Sequence, residues 1–308
     1  MTSKPKISVI MSVFNHEKYL QKSIDSILSQ SYKNFEFIII NDGSNKNAKK
    51  ILELNKLQDK RIKVINNKKR IGLTKSLNIA IKISKGEYIA RQDSDDISYF
   101  KRFEEQLNFF KKNKKVIMCG TNGILIDNND SFLKNIKNLE NNYEKIKKKL
   151  IYENQFIHSS VMVKRNYLLE VKGYDEKFKY AQDYDLWCRL SIKGFLTNIN
   201  KILVKIRQHN ESITKKNKKE QNYYSILASI RHYAGINNLK YLNKSYDIYN
   251  FLKEKKIAKF AKILIFLNRF NLPKNNKIKK IKIYLREIYY FFKFKKLIIK
   301  YFLNYLRP

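Results

Sequence analysis

The stretch Tyr88-Ile89-Ala90-Arg91-Gln92-Asp93-Ser94-Asp95-Asp96 joins a short apolar run directly to three carboxylates within four residues. The apolar run predicts a buried strand, and the carboxylates predict a polar loop at its carboxyl end. Clustered aspartates repel one another unless a cation lies among them, and oxygen ligands at this spacing suit Mn²⁺ or Mg²⁺. Alternatively, the loop is an acidic turn that caps a helix predicted over 99–112. This stretch alone leaves both interpretations open.

The chain before this stretch alternates between short apolar runs and longer segments with helical spacing. Strands are predicted at 7–14, 35–40, 62–65 and 87–91, and helices up to about residue 30, up to about residue 57 and over 73–83. Strands and helices that alternate at these lengths predict right-handed crossovers. The expected fold is therefore α/β, with a mostly parallel central sheet and helices on both faces.

Polar residues follow each predicted strand at its carboxyl end. They are Asn15, Asp42, Arg70, Asp93 and Asp95. In open α/β sheets, ligands bind beyond the carboxyl ends of the strands, so we expect these side chains to meet on one rim. Such a regular placement favours a ligand site over an isolated acidic turn.

Four segments have an order and spacing that resemble family 2 glycosyltransferases, which are nucleotide-sugar enzymes with the GT-A fold. The segments are 7–15, 36–44, 70–78 and 86–96, within a match that covers about residues 5–210. The resemblance implies a GT-A domain over 1–214, with a nucleotide-binding half at about 5–115 and an acceptor half at about 116–214. A basic helical region, 215–308, is expected to follow it.

The resemblance also implies a donor site. Asp42 would accept a hydrogen bond from the imide N–H of uracil or thymine, and Asp95 together with Asp93 would bind the metal that bridges the two phosphates. The other residues implied for the donor site are Ser12, Val13, Phe14, Asn15, Arg70, Gly72, Asn78 and Arg91. Plainer interpretations stay open for three of these residues: Asp42 in an Asp-Gly turn, Arg70 as a solvated cation and Gly72 as a turn cap.

A second segment, Ala181-Gln182-Asp183-Tyr184-Asp185-Leu186-Trp187, resembles the Glu-Asp motif of the same family, with Gln182 in place of the usual Glu. Asp183 matches the base that an inverting transfer needs to accept the proton of the acceptor hydroxyl. A carboxylate at the start of a helix also caps it, and the two roles are compatible. Trp187 is expected to be buried against the sheet, and Arg102 to form a salt bridge behind the acidic loop.

Weaker patterns lie between and after these motifs. Two short strands are expected on either side of residues 120–123, a variable polar excursion over 128–149, and a strand over 158–163. His158 contacts the donor or is a structural histidine. His209, in a loop expected to close over the diphosphate, completes the metal site or contacts phosphate, or is a surface histidine.

Composition limits the partners and the setting. The 65 Lys and Arg residues against 27 Asp and Glu residues give a net charge of +38, which favours anionic partners. Cys119 and Cys188 are the only cysteines, so no disulfide framework is implied and a reducing compartment is expected. No uncharged stretch is long enough to span a bilayer.

The C-terminal region is basic and apolar at once. Residues 251–308 contain 17 Lys or Arg residues and two acidic residues, interleaved with Phe, Tyr, Ile and Leu. This pattern predicts helices on an anionic membrane surface, with an ordinary helical subdomain or a nucleic-acid platform as alternatives. We therefore expect a cytoplasmic protein that is peripheral on the inner face of the cell membrane.

The sequence as a whole predicts an inverting, metal-dependent glycosyltransferase of bacterial surface polysaccharide synthesis. The donor would be a UDP- or dTDP-sugar, and the acceptor a hydroxyl of a glycan or a lipid-linked glycan. The alternatives are nucleotidyl transfer on a related fold, a catalytically inactive membrane scaffold, and a basic nucleic-acid-binding protein. The last leaves the ordered rim motifs unexplained, so no nucleic-acid partner is expected.

Overall fold

The computed structural model describes residues 5–137 and 139–209, and residues 220, 221, 224, 225, 227–229, 231 and 232. The strands among them are β1 (Ile7–Val13), β2 (Phe35–Asn41), β3 (Ile62–Asn66), β4 (Tyr88–Arg91), β5 (Ile97–Ser98), β6 (Val116–Ile126), β7 (Phe132–Ile136), β8 (Met162–Lys164) and β9 (Phe195–Arg207). The helices are α1 (Glu17–Leu28), α2 (Lys46–Gln58), α3 (Leu73–Ile83), α4 (Arg102–Lys112), α5 (Tyr143–Lys149), α6 (Arg165–Glu170) and α7 (Gln182–Leu190).

The strands form one mixed sheet in the order β3-β2-β1-β4-β8-β6-β9-β5, with β7 paired to β6. The first four strands are all parallel, so their carboxyl ends meet at one rim as predicted. The short strand β8 then runs antiparallel to both β4 and β6, and β6 is parallel to β9. The predicted α/β fold is confirmed, and the antiparallel pairings lie in its second half.

Helices cover both faces of the sheet because successive strand residues point to opposite sides. In β1, Val9 and Met11 pack with α1, α2 and α4, whereas Ile10 packs with α3, α6 and α7. Trp187 is fully buried in the second of these cores, as expected. Tyr224 and Ala228, which the sequence assigned to the C-terminal region, belong to that core as well.

Three expectations for the middle of the chain need correction. Residues 116–126 form one long strand, because Gly120 and Gly123 allow close contact and do not break it: a Cβ on Gly120 would lie 2.9 Å from Phe156 Cδ1. The strand expected over 158–163 starts only at Met162, after a turn of 3₁₀ helix. The polar excursion contains β7 and α5. Residues 210–212 of the expected closing loop lie outside the described residues.

Both cysteines are free and fully buried. Burial raises the pKa of each thiol well above its ordinary value. In the part of the chain that the structure describes, no helix is long and apolar enough to cross a membrane. The expected membrane-surface helices of 251–308 lie outside that part.

The packing at the end of the sheet opposite the rim can be tested by a substitution at Gly86. A Cβ at this position would lie 2.7 Å from the carbonyl carbon of Ile7, and Gly86 N donates a hydrogen bond to Ser8 Oγ (2.8 Å). Since the contacted atoms are backbone, Gly86→Ala is expected to lower the free energy of unfolding by about 1–3 kcal/mol in urea denaturation. Lys85→Ala, at the exposed neighbouring side chain, should change it by less than about 0.5 kcal/mol. Equal effects of the two variants would contradict this account.

Candidate active site

Asp42 follows β2 at the rim and is only 2% exposed. Its Oδ1 accepts hydrogen bonds from Asn67 Nδ2 (2.9 Å) and Ile71 N (2.8 Å), and its Oδ2 accepts one from Gly72 N (2.8 Å). Each carboxylate oxygen can accept two hydrogen bonds, so one position on Oδ2 remains. Asp42 therefore holds the loop 67–72 and keeps the capacity for one more donor.

The residues after β1 form the adjoining part of the rim. The guanidinium carbon of Arg70 lies 3.8 Å from the centroid of the Phe14 ring, so Arg70 is stacked and not simply solvated. Asn15 adopts a left-handed conformation, with φ 62°, and bonds to the loop after β2 through Ser44 Oγ (3.0 Å) and Asn45 N (2.9 Å). These contacts bring Phe14, Asn15 and Arg70 to the loops that flank Asp42.

The other predicted donor-site residues from the first half divide into two groups. Ser12 and Val13 end β1, and Val13 O accepts a hydrogen bond from Asp42 N (2.7 Å), so both are close to the rim. The side chain of Asn78 is instead hydrogen-bonded within the protein. Its Nδ2 donates to Tyr174 O (2.9 Å) and its Oδ1 accepts from Tyr174 N (2.9 Å), so the side chain fastens α3 to Tyr174.

The acidic turn after β4 is held from several sides. Asp93 Oδ2 accepts a hydrogen bond from Ser159 Oγ (2.6 Å), and the same hydroxyl contacts Asp96 Oδ2. Asp96 Oδ1 accepts from Arg207 N (2.8 Å). Burial, with Asp95 and Asp93 nearby, raises the pKa of Asp96 well above its ordinary value. Asp96 thus orients its neighbours and does not cap the next helix.

Asp95, in this turn, and His209, which follows β9, are the two side chains that would hold a metal ion here. Asp95 Oδ2 lies 2.8 Å from His209 Nε2, and the Asp95 side chain is 17% exposed. Carboxylate oxygen and imidazole nitrogen are both donors that Mn²⁺ accepts. No cluster of three or more His, Cys, Asp or Glu ligands occurs among the described residues, so a cation here would need further ligands from phosphate and water.

Arg91 lies behind Asp93. It is 1% exposed and forms an ion pair with Asp93, so it supports the acidic turn from behind. His158 lies beside the pair, with Nε2 2.8 Å from the Tyr174 hydroxyl and Nδ1 3.8 Å from Asp93 Oδ2. Burial, reinforced by Arg91, lowers the pKa of His158 to about 4, so the ring is neutral at neutral pH.

Asp183 lies in the first turn of α7, in the second half of the domain, and is partly exposed. Its Oδ2 accepts a hydrogen bond from Asn154 Nδ2 (2.8 Å). His158 Nδ1 lies 3.8 Å from Asp93 Oδ2, and the centroid of its ring lies 6.2 Å from that of Trp187, four residues after Asp183 in the same helix. Asp93 and the helix that carries Asp183 therefore both lie close to the same histidine.

Arg102 has a different role from the one expected. It is fully buried, and it donates to Arg91 O (2.9 Å), Val161 O (3.1 Å) and Ser98 Oγ (2.8 Å), with no carboxylate partner in the described structure. Burial lowers its pKa to about 9, which still leaves it charged at neutral pH. In place of a salt bridge, Arg102 joins β4 to the segment before β8.

Sequence reasoning missed Ser159, Asn154, Arg207 and Asn67. Ser159 lies inside the segment 158–163, so its neighbour His158 was a usable signal. Asn154, which contacts Asp183, comes from a polar loop with no pattern. Asn67 and Arg207 make their contacts with residues 25 or more positions away.

The sequence is similar to those of several known glycosyltransferases. The profile of Glycosyl transferase family 2 matches residues 8–172. The O-antigen biosynthesis glycosyltransferase WbnJ of Escherichia coli is 36% identical over 266 residues, which cover 84% of this chain and 93% of that protein. An uncharacterized glycosyltransferase of Methanocaldococcus jannaschii is 38% identical over 225 residues, covering 72% and 77%.

Solved structures with a similar fold are more distant in sequence. The structure of S. aureus TarS 1-349 in complex with UDP-GlcNAc has a TM-score of 0.61 and 16% identity, over 84% of this chain and 74% of that chain. The mannosyltransferase PcManGT from Pyrobaculum calidifontis, in complex with GDP-Man and Mn²⁺, has a TM-score of 0.54 and 11% identity, over 85% and 84%. At these identities the likeness concerns the fold alone.

The hydrogen bonds that Arg102 makes behind the acidic turn can be tested by substitution. Arg102→Lys keeps the charge but cannot reach all the acceptors of the planar guanidinium, which leaves buried carbonyls unpaired. We expect a loss of at least about 2 kcal/mol in the free energy of unfolding, measured by urea denaturation. Lys101→Ala, at an exposed neighbour, should be within about 0.5 kcal/mol of the unchanged protein. A stable Arg102→Lys variant would show that the acceptors do not need the fork of donors.

Proposed function

The chain belongs to glycosyl transferase family 2 and is a glycosyltransferase, and from this we propose that it transfers one sugar, with inversion, from a UDP- or dTDP-sugar to a hydroxyl of a glycan or lipid-linked glycan. One observation carries the proposal. Asp93, from the half that would bind the donor, and helix α7, which carries Asp183 in the half that would bind the acceptor, both lie close to His158. A donor bound beside Asp93 and an acceptor bound beside Asp183 would therefore meet near His158.

The choice of a uracil or thymine base is supported by the hydrogen bonds of Asp42. Three protein donors already use its carboxylate, so one acceptor position is left. Uracil and thymine offer a single imide N–H, which this position matches. Guanine offers two adjacent donors, one of which would stay unpaired at a cost in affinity. TarS was solved with UDP-GlcNAc and PcManGT with GDP-Man, so the fold alone does not decide the base.

The proposed chemistry is a single displacement with Asp183 as general base. Asp183 accepts the proton of the acceptor hydroxyl while that oxygen bonds to the anomeric carbon, and the bond from this carbon to the diphosphate oxygen breaks. Asn154 binds Oδ2 of the base and leaves Oδ1 for the acceptor. Mn²⁺ or Mg²⁺ at Asp95 and His209 would offset the charge that develops on the departing nucleoside diphosphate.

The proposed setting is surface polysaccharide assembly at the inner face of the cell membrane. WbnJ, to which the chain is 36% identical, is named for O-antigen biosynthesis. The basic and aromatic composition of residues 251–308 would suit an anionic membrane surface that carries a lipid-linked acceptor. Nucleotidyl transfer, the alternative reaction, has no support among relatives that are named glycosyltransferases.

A panel of nucleotide sugars, assayed for release of the free nucleotide with a glycan acceptor, tests this function. We expect release from UDP- or dTDP-sugars and not from GDP-sugars. Asp183→Asn should reduce kcat about 10²–10⁴-fold because the acceptor proton then has no base to accept it. Asp25→Asn, at an exposed aspartate of α1, is the control and should keep full activity. Unchanged turnover in the Asp183 variant would refute the base assignment.

Metal removal tests the role of Asp95 and His209. EDTA is expected to abolish transfer, and added Mn²⁺ or Mg²⁺ to restore it, because charge on the leaving diphosphate would otherwise be uncompensated. Asp95→Ala should stay inactive at all metal concentrations, whereas His209→Ala should need more metal for half-maximal activity. Full activity in EDTA would remove the metal from the proposal and leave the base assignment to the previous test.

A further inference from the structure

The turn between β6 and β7, residues 127–131, contacts the rim although the sequence indicated only a variable surface excursion there. Asp127 Oδ1 accepts hydrogen bonds from Asn129 N (2.8 Å) and Ser131 N (2.9 Å), which give the turn a fixed shape. Tyr19 of α1 donates to Asn128 Oδ1 (3.1 Å). The turn is therefore docked against the first helix of the donor-binding half.

Arg207 connects this turn to the acidic turn. Its Nε donates to Asp95 O (2.9 Å), its Nη1 donates to Asp127 O (2.8 Å), and its backbone N donates to Asp96 Oδ1 (2.8 Å). The guanidinium carbon also lies 4.5 Å from the centroid of the Tyr19 ring. Two residues further on, His209 contacts the carboxylate of Asp95. Arg207 thus acts on both candidate metal ligands. It is hydrogen-bonded to the backbone of Asp95, and it lies two residues before His209 in the chain.

Asp130 balances the charge of Arg207. The Arg207 side chain is only 1% exposed, and among the described residues Asp130 is the carboxylate with which it forms an ion pair. The side-chain hydrogen bonds of Arg207 go to neutral carbonyls, those of Asp95 and Asp127. A buried guanidinium without its counter-ion is strongly unfavourable, so it would tend to move toward water and lose those contacts.

We propose that Asp130 is a positioning residue of the transfer site: through Arg207 it fixes the acidic turn and His209 in the geometry that holds the metal and diphosphate. This rests on the proposed function for its catalytic consequence, but the positioning itself is measurable without substrate. It also gives the turn 127–131 a role in catalysis, although Asp130 touches neither substrate nor metal.

Asp130→Asn is the informative variant because it removes the charge and little else. Asp130 has φ 69°, a left-handed conformation that Asn tolerates well. The matched control is Lys22→Met, which removes the other ion-pair partner of the same carboxylate. The Lys22 side chain is 61% exposed, so its pair with Asp130 contributes little, and the pair of Asp130 with Arg207 remains.

Hydrogen–deuterium exchange of the full chain without ligands is the first measurement. In Asp130→Asn we expect faster exchange in peptides that cover residues 92–98 and 203–209, with strands β1 to β3 unchanged, and no such change in Lys22→Met. Unchanged exchange in those peptides would overturn the proposal. A uniform rise over the whole chain would also overturn it, since Asp130 would then be a general stability residue.

Metal binding is the second measurement, with Mn²⁺ titrated in the presence of UDP and followed by electron paramagnetic resonance. Asp130→Asn should weaken Mn²⁺ binding about 10-fold or more, as changes to residues behind a metal site do, and Lys22→Met should not. In transfer assays, the metal concentration for half-maximal activity should rise in parallel while kcat at saturating metal recovers. Faster exchange at 92–98 and 203–209 in Asp130→Asn, together with no Mn²⁺ binding by the unchanged protein, would support the positioning role and refute the metal site.

Discussion

Three carboxylates crowded into one turn need support from the surrounding protein, and buried arginines supply part of it. Arg91 pairs with Asp93, Arg207 holds Asp95 and Asp96 through backbone and side-chain atoms, and Arg102 ties the strand beneath them to the segment before β8. Arg91 thus offsets the charge of Asp93, whereas the repulsion that remains at Asp96 is reflected in its raised pKa. This leaves the outward face of Asp95 available for a ligand.

Much of the fold could be predicted because its first half obeys local rules. Helix α3 occupies the predicted residues 73–83, and the strands of the parallel half end within one residue of their predicted ends. The rest depended on tertiary contacts. Gly120 and Gly123 were expected to separate two strands, yet both lie within β6, where neighbouring side chains would crowd a Cβ. Such crowding has no signature in the local sequence.

The candidate site was predicted where residues stand at strand ends, and missed where they act at a distance. Asp42, Asp93, Asp95 and Asp183 are on the expected elements. Arg91 and Asn78 belong to the same motifs, but the side chain of Arg91 is buried, and that of Asn78 is hydrogen-bonded to the backbone of Tyr174. Position within a motif therefore predicted which segments lie together at the rim, and not which of their side chains are already bonded within the protein.

The two inaccessible thiols make the chain convenient for chemical labelling. Cys119 and Cys188 are its only cysteines, and both are buried with suppressed ionisation, so alkylating reagents have no ready target in the folded protein. A cysteine introduced at the exposed position 129, by Asn129→Cys, would be labelled selectively with a fluorophore without first replacing the two native cysteines. Its emission would report the environment of the β6–β7 turn in an otherwise unaltered background.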